Sequence, residues 1–380
     1  VYDTTDELRT ETSCGYGFKK KRKALARENP QDIKNFLNTF DCSFDVLFTL
    51  FLKEEMREIE LETRSVAVPQ LHLMLIFRKY LGWLYKYFER GIHPFAYNHT
   101  PTEGFFTEKF SEFDIDVETI SIDFKKMDAR MNTIFIDWFE RFILTQTNFP
   151  VEHTDVLTWI HDQSFFNKRV LDPYGNVITF SNGEMSGFPG TILYNSLYGL
   201  WTMCAAQIVN DQLAGMKHSV ETMPLLILGD DIIFQQQSLE ITDEVVQLLG
   251  HELYVQKGSL INDVTFLSYK FHSHGGLIRP YYANLDKMFA SLRYYKNDIT
   301  YFQKLASFHS LLAFSPSGSL EAEWRDKIES ILIQKIRLQP AYYQSVINSY
   351  RPTKVWKNMR SYYTPSILPA SESLADILNL

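Results

Sequence analysis

Two adjacent carboxylates stand beside a glycine in Leu228-Gly229-Asp230-Asp231-Ile232-Ile233-Phe234, and a second pair, Asp123 and Asp128, lies upstream. Neighbouring carboxylates repel each other and have little use in a core, but they suit hard divalent cations, which take oxygen ligands. Ions shared between Asp123 and the Asp230–Asp231 tip would stabilise the attacking and leaving oxygens of a phosphoryl transfer. Each pair also has a plain reading. Asp230–Asp231 would serve as an ordinary turn, and Asp128 as a helix N-terminal charge favoured by the dipole. Asp123 has no such role to fill, and the two pairs together favour the metal clamp. Between them, Met185-Ser186-Gly187-Phe188-Pro189-Gly190-Thr191-Ile192-Leu193-Tyr194-Asn195 supplies hydroxyl and amide groups. Thr191 and Asn195 are four residues apart and share one helical face.

These residues need particular elements beneath them. The apolar runs 224–228 and 232–234, broken by Gly-Asp, predict a β-hairpin with glycine at the first turn position, which pushes Asp230 and Asp231 out of the sheet. Residues 120–124 alternate as a strand that ends at Asp123. Asp128 then falls at a junction to a helix whose buried face reads Met131, Ile134, Phe135, Trp138, Phe139 and Phe142. The Ser-Gly and Pro-Gly steps mark a flexible loop. Thr191 is expected to cap the following helix, with an apolar stripe of Leu197, Leu200, Trp201, Cys204 and Ile208.

In that order, Asp-x4-Asp, Ser-Gly-x3-Thr-x3-Asn and Gly-Asp-Asp resemble motifs A, B and C of viral RNA-dependent RNA polymerases. The flanks are similar too. Thr12-Ser13-Cys14-Gly15-Tyr16 resembles the template loop, motif G, of the picornavirus-like group. Lys53-Glu54-Glu55-Met56-Arg57 with Arg64-Ser65-Val66 resembles the basic finger motif F, and Phe266-Leu267-Ser268-Tyr269-Lys270 resembles motif E. The stretch from Arg279-Pro280 through Asp286-Lys287-Met288-Phe289-Ala290-Ser291-Leu292 looks most like partitivirus polymerases, whose genomes are double-stranded RNA. Two positions depart from the pattern. The interval of motif F that usually holds a further lysine carries Glu58, Glu60 and Glu62, and Leu228 stands where many relatives have tyrosine.

The resemblance implies an α+β right-hand fold with fingers, a palm of antiparallel sheet flanked by helices, and a helical thumb. The expected boundaries are 1–115 for the N-terminal fingers, 116–145 for the first palm segment, 146–182 for a fingers insertion, 183–284 for the rest of the palm and 285–380 for the thumb. A hairpin around Pro173-Tyr174-Gly175-Asn176 belongs to the insertion, and His272 and His274 beside Gly275-Gly276 read as a turn rather than a metal site.

Roles follow from the same resemblance. Asp123 and Asp230 would hold two Mg²⁺ ions, with Mn²⁺ as a substitute and Asp231 as a weaker or outer ligand. Lys53, Arg57 and Arg64 would clamp the triphosphate, and Asp128, Ser186, Gly187, Thr191 and Asn195 would read the nucleotide and its 2′-hydroxyl. Thr12, Ser13 and Gly15 would meet the RNA template. The block Lys19-Lys20-Lys21-Arg22-Lys23 would join them, although a solvated loop or a localisation tag accounts for it as well. Lys257 is a candidate general acid for pyrophosphate, or else a surface lysine. The implied partners are template and nascent RNA, ribonucleoside triphosphates and a viral capsid protein, in host cytoplasm or inside the virion. Two rivals are a reverse transcriptase, disfavoured by the set that reads the 2′-hydroxyl, and a silent RNA-binding relative, disfavoured by the intact carboxylates.

Composition is compatible with this. At 380 residues and 45% apolar, the chain can bury a sizeable core. The net charge of −8 argues mildly against a nucleic-acid binder, but positive charge confined to a channel can coexist with an acidic exterior. Three cysteines are too few and too scattered for a disulfide framework or zinc site, which fits a reducing compartment. The densest apolar stretches are broken by Arg78, Lys79 and Arg141, short of a membrane span. No charged-then-apolar leader follows Val1, and members of the group carry more chain before motif G, so residues are expected ahead of Val1.

Overall fold

The computed structural model describes residues 30–52, 65–89, 94–97, 103–213, 224–235, 250–292 and 298–339. Short runs of β-branched and aromatic residues build two four-stranded sheets, because such side chains pack well on a pleated surface. One sheet has the order β2-β1-β4-β5, from β1 (Leu47–Leu52), β2 (Ser65–Pro69), β4 (Lys168–Leu171) and β5 (Val177–Phe180). It joins sequence-distant segments through the parallel pairing of β1 with β4, while β4 and β5 form the expected hairpin. The other sheet has the order β6-β7-β3-β8, from β3 (Thr119–Phe124), β6 (Leu225–Leu228), β7 (Asp231–Gln235) and β8 (Leu253–Gly258), all antiparallel.

This second sheet carries the carboxylates, and period 2 decides which way they face. Ile120, Ile122 and Phe124 enter the main core together with Phe135, Phe139, Tyr194 and Tyr198 from two helices, Thr133–Gln146 and Thr191–Leu213. Thr119, Ser121 and Asp123 alternate onto the opposite face. A second core around Phe106, Phe110, Ile233, Phe266 and Phe271 supports that face. Each buried phenylalanine contributes about 1.5–3 kcal/mol relative to exposure, so the sheet is held firmly between two layers.

A two-stranded hairpin follows, β9 (Tyr269–His274) with β10 (Leu277–Tyr282), turning at Gly275-Gly276. His272 lies within β9 rather than in the turn, and its Nε2 meets the carbonyl of Phe314. The helices Leu285–Leu292, Asp298–Leu311 and Leu320–Leu338 enclose a separate core of Met288, Phe302, Leu305, Ile328 and Leu332. The Ser315-Pro316-Ser317-Gly318 stretch separates the last two helices, and Ser319 caps the last one by accepting from the Ala322 amide.

Two helical faces differ from expectation. In Thr133–Gln146 the buried residues are Phe135, Ile136, Phe139 and Ile143, whereas Ile134 is 62% exposed and Trp138 and Phe142 also face outward. Two interleaved rows, both at spacing four, satisfy the periodicity equally, and the outward row is held by ring stacking of Trp138 on Phe135 and Phe142. In Thr191–Leu213 the buried residues include Leu193, Tyr194, Tyr198 and Met203, while Ile208 is exposed. The tyrosines could turn inward because their hydroxyls find buried partners: His161 Nε2 lies 2.8 Å from Tyr194, and His251 Nε2 lies 2.5 Å from Tyr198.

Candidate active site

Asp123 and Asp231 are direct partners across the β3–β7 register. Side chains so paired share one face, with Cβ atoms about 4.5–5.5 Å apart, so backbone hydrogen bonding alone brings two carboxylates together. Asp231 is therefore the first residue of β7 and lies in the sheet, not outside it as the turn motif suggested; only Asp230 occupies the tip. Burial, and then the negative charges of Asp230 and Asp123, push the Asp231 carboxyl up to about 7.

The tip has its own support. Leu228 pairs with Asp231, leaving Gly229-Asp230 as a two-residue turn. Gly229 has φ +66° and Asp230 is not among the residues of positive φ, the pattern of a type II′ hairpin with glycine first. The Gly229 amide donates to Ser196 Oγ at 2.8 Å, and Ser196 in turn donates to Ile192 O at 2.6 Å. The motif B helix thus grips the hairpin that carries Asp230. Ser196 drew no attention in the sequence, where it reads only as the neighbour of Asn195.

Beside the carboxylates, a four-residue helix, Met127–Arg130, holds Asp128 and packs against Thr191–Leu213. The Glu184 amide donates to Asp128 O at 2.6 Å, which ties the Ser186-Gly187 loop to the Asp128 turn. Ser186 is exposed on this loop. A Cβ on Gly187 would lie 1.9 Å from the Ala67 carbonyl in β2, so only glycine allows the loop to approach that strand. Thr191 opens its helix rather than capping it: its hydroxyl donates to Phe188 O at 2.8 Å. Asn195 is buried, and its Oδ1 has no hydrogen-bond donor among the described residues.

Two buried charges lie behind the loop. Lys168 is fully buried and donates to Phe165 O, Asn182 O and Gly183 O at 2.7–2.8 Å. Burial pulls its ammonium down to about 8. Glu184 is pushed well above the usual carboxylate range by burial and by the charge of Asp128, with the Thr191 hydroxyl and the Lys168 ammonium acting the other way. On the opposite side Glu252 accepts from Lys125 Nζ at 2.6 Å and from Arg130 Nη2 at 2.7 Å, and the two cations hold its carboxylate down to about 2. Nothing local in the sequence marks these residues: Lys168 reaches back to Phe165 and across a hairpin to Asn182 and Gly183, and the partners of Glu252 are 122 and 127 residues away.

Of the remaining expected residues, only Lys257 is described. Lys257 pairs with Ile120, three rungs from the Asp123 pairing and on the opposite face of the sheet. Tyr254, not Lys257, is the β8 residue level with Asp123, and it is exposed. Lys53, Arg57 and Arg64, together with Thr12, Ser13, Gly15, Lys19, Lys20 and Lys21, lie outside the described residues.

The carboxylate set fits a hard divalent cation, since bound positive charge would relieve the repulsion that raises Asp231. Among the described residues no three His, Cys, Asp or Glu side chains converge into a ready cage. That suits magnesium, which takes one or two carboxylates and leaves its other positions to water and substrate phosphates. No described helix is long and apolar enough to cross a membrane.

Comparison with known proteins gives the same reading. A family model described as viral RNA-dependent RNA polymerase matches residues 1–352. No curated protein matches the chain. Among solved structures, the Sicinivirus 3Dpol RNA-dependent RNA polymerase is similar with a TM-score of 0.69 and 16% identity, over 86% of this chain and 73% of that one. The polymerase of a human picorbirnavirus is similar with a TM-score of 0.66 and 17% identity, over 86% and 64%. Its insertion-loop deletion mutant reaches 0.67 at 17% identity, over 95% and 74%. With a right-hand fold, paired carboxylates on one rung and a family match across most of its length, this chain belongs to the viral RNA-dependent RNA polymerase family.

Proposed function

We propose that Asp123 and Asp230 hold two Mg²⁺ ions, with Asp231 as an outer ligand, and that Asp128 and Asn195 select ribonucleotides. In nucleotidyl transfer the 3′-oxygen of the nascent strand attacks the α-phosphorus of a ribonucleoside triphosphate, the bond to the bridging oxygen breaks, and pyrophosphate leaves. The bound ions would neutralise the charge that builds on the attacking and leaving oxygens. The rest of catalysis is positioning, as in phosphoryl transfer generally. Ser196 fixes the turn that carries Asp230, and the β3–β7 register sets Asp123 against Asp231.

The observation that carries the sugar reading is Asn195 Oδ1, a buried acceptor on the motif B helix that has no donor among the described residues. A ribose 2′-hydroxyl is both donor and acceptor and would satisfy it; a deoxyribose would leave it unpaired. Lys53, Arg57 and Arg64 are proposed to clamp the triphosphate, and Thr12, Ser13 and Gly15 with the lysine run to guide the template. Residues 1–115 and 146–182 would form the fingers, 116–145 and 183–284 the palm, and 285–380 the thumb. Lys257 is left out of the chemistry, because its strand position points it away from the carboxylates. Replication in host cytoplasm or within the virion, beside a capsid protein, completes the proposal.

The test is single-nucleotide primer extension on RNA with Mg²⁺, using paired ribo- and deoxyribonucleotides. Asn195→Ala and Asp128→Ala should narrow the preference for ribonucleotides, and an unchanged ratio in both would reduce them to structural residues. A wild-type preference for deoxyribonucleotides would overturn ribose selection outright.

A further inference from the structure

We propose that Glu252 is a positioning residue for sugar selection, resting on Asp128 as the carboxylate that reads the ribose. The helix Met127–Arg130 is a single turn, too short to hold its own shape in water. Its N-cap, Lys126, sits in the left-handed region at φ 58° without a side-chain cap. Asp128 must therefore be placed from outside. On one side the Glu184 amide grips Asp128 O. On the other, Glu252 brackets the turn: one carboxylate oxygen takes Lys125, three residues before Asp128, and the other takes Arg130, two residues after it.

The backbone reinforces this bracket. The Lys125 amide donates to Glu252 O at 3.0 Å, and Phe124 pairs with Leu253 at the head of β8. Adjacent His251 packs its ring against Phe124 and meets the Tyr198 hydroxyl, which accepts from the Asn132 amide. The head of β8 thus seats the whole 124–132 segment against the motif B helix, and Glu252 supplies its charged fastening. A single exposed ion pair contributes little, but one carboxylate shared by two cations and backed by a main-chain bond is the networked case in which geometry is defined.

Substrate preference should then depend on Glu252 although it touches no substrate. In Glu252→Gln the ribo-over-deoxy ratio of kcat/KM should fall by about three- to ten-fold, while the thermal midpoint stays near wild type because the side chain is solvent-exposed. Raising salt should move the wild-type ratio toward the mutant value, since exposed pairs are screened. Combining Glu252→Arg with Lys125→Glu and Arg130→Glu reverses every charge and should restore the ratio that Glu252→Arg alone loses. Asp128→Ala serves as the reference. If it narrows the ratio while Glu252→Gln leaves it unchanged, Glu252 is not a positioning residue and sugar reading by Asp128 stands. If Asp128→Ala itself leaves the ratio unchanged, the sugar reading fails, and the role of Glu252 fails with it.

Discussion

Asp231 has to lose a proton before it can serve a cation. Its carboxyl titrates near 7 because burial and two neighbouring carboxylates disfavour the charged form. The raised folded value means the metal-free protein keeps this proton below about pH 7 and gives it up above, and ligands must be deprotonated to bind. Mn²⁺ affinity should therefore climb roughly tenfold per pH unit below that point and level off above it. Asp231→Asn should flatten the dependence, as read by calorimetric titration across pH. Asp230→Asn is the sharper loss: nucleotide incorporation should disappear while circular dichroism stays native, because a half-buried turn carboxylate has been replaced by its isostere. At this scale the sequence was most legible. Gly-Asp-Asp and Asp-x4-Asp announce themselves through residue type and spacing. Ser196, Lys168, Glu184 and Glu252 do not, because their significance lies in partners that only the fold brings near.

The elements around the site differ in how they can fail. The hairpin tip depends on one side-chain acceptor, Ser196 Oγ, for the Gly229 amide. Ser196→Ala leaves that buried amide unsatisfied and should cost about 1–3 kcal/mol of stability by denaturant titration, with a fall in kcat larger than any change in nucleotide KM. The loop fails sterically instead. Gly187→Ala places a methyl group against the Ala67 carbonyl, whereas a Cβ at Gly229 meets no atom and suffers only from φ. Strands were readable because period 2 has a single phase once one face is buried. Helical faces were less so: in 133–146 an aromatic row lies on each side, and the outward one carries Trp138 and Phe142. Amphipathicity marks the helix but cannot choose between two apolar rows.

Across the whole molecule, buried titratable groups pull stability in opposite directions as pH changes. His251 is pulled down to about 4 by burial and by the charge of Arg130. The unfolded chain takes a proton near 6.5 and the folded chain resists until about 4, so stability is full above 6.5 and is lost as pH falls between them. The cost is about 1–3 kcal/mol after allowance for solvent screening. His251→Gln should remove this rise of stability with pH in thermal unfolding over that range, with the hydrogen bond to Tyr198 preserved by the amide. Asp231 has the opposite sign: its raised value favours the metal-free fold at low pH and is lost as pH rises through about 7. The two trends oppose each other across the same interval, from about 4 to about 7, and partly offset. The right-hand architecture was legible from motif order, but the pairing of β1 with β4 across more than a hundred residues was not, because parallel contacts leave no local trace.

The ammonium of Lys168 fastens one end of the Ser186-Gly187 loop. Its grip on the Asn182 and Gly183 carbonyls holds the chain just after β5, while Tyr85 bonds the Pro189 carbonyl and Thr191 the Phe188 carbonyl at the other end. Gly187 is pressed against β2 between these anchors. Met185 is held as well, since its carbonyl accepts from the Phe188 amide at 2.8 Å and its side chain packs on the main core. Ser186 is then a single exposed residue presented to solvent by a loop that is fastened on both sides of it.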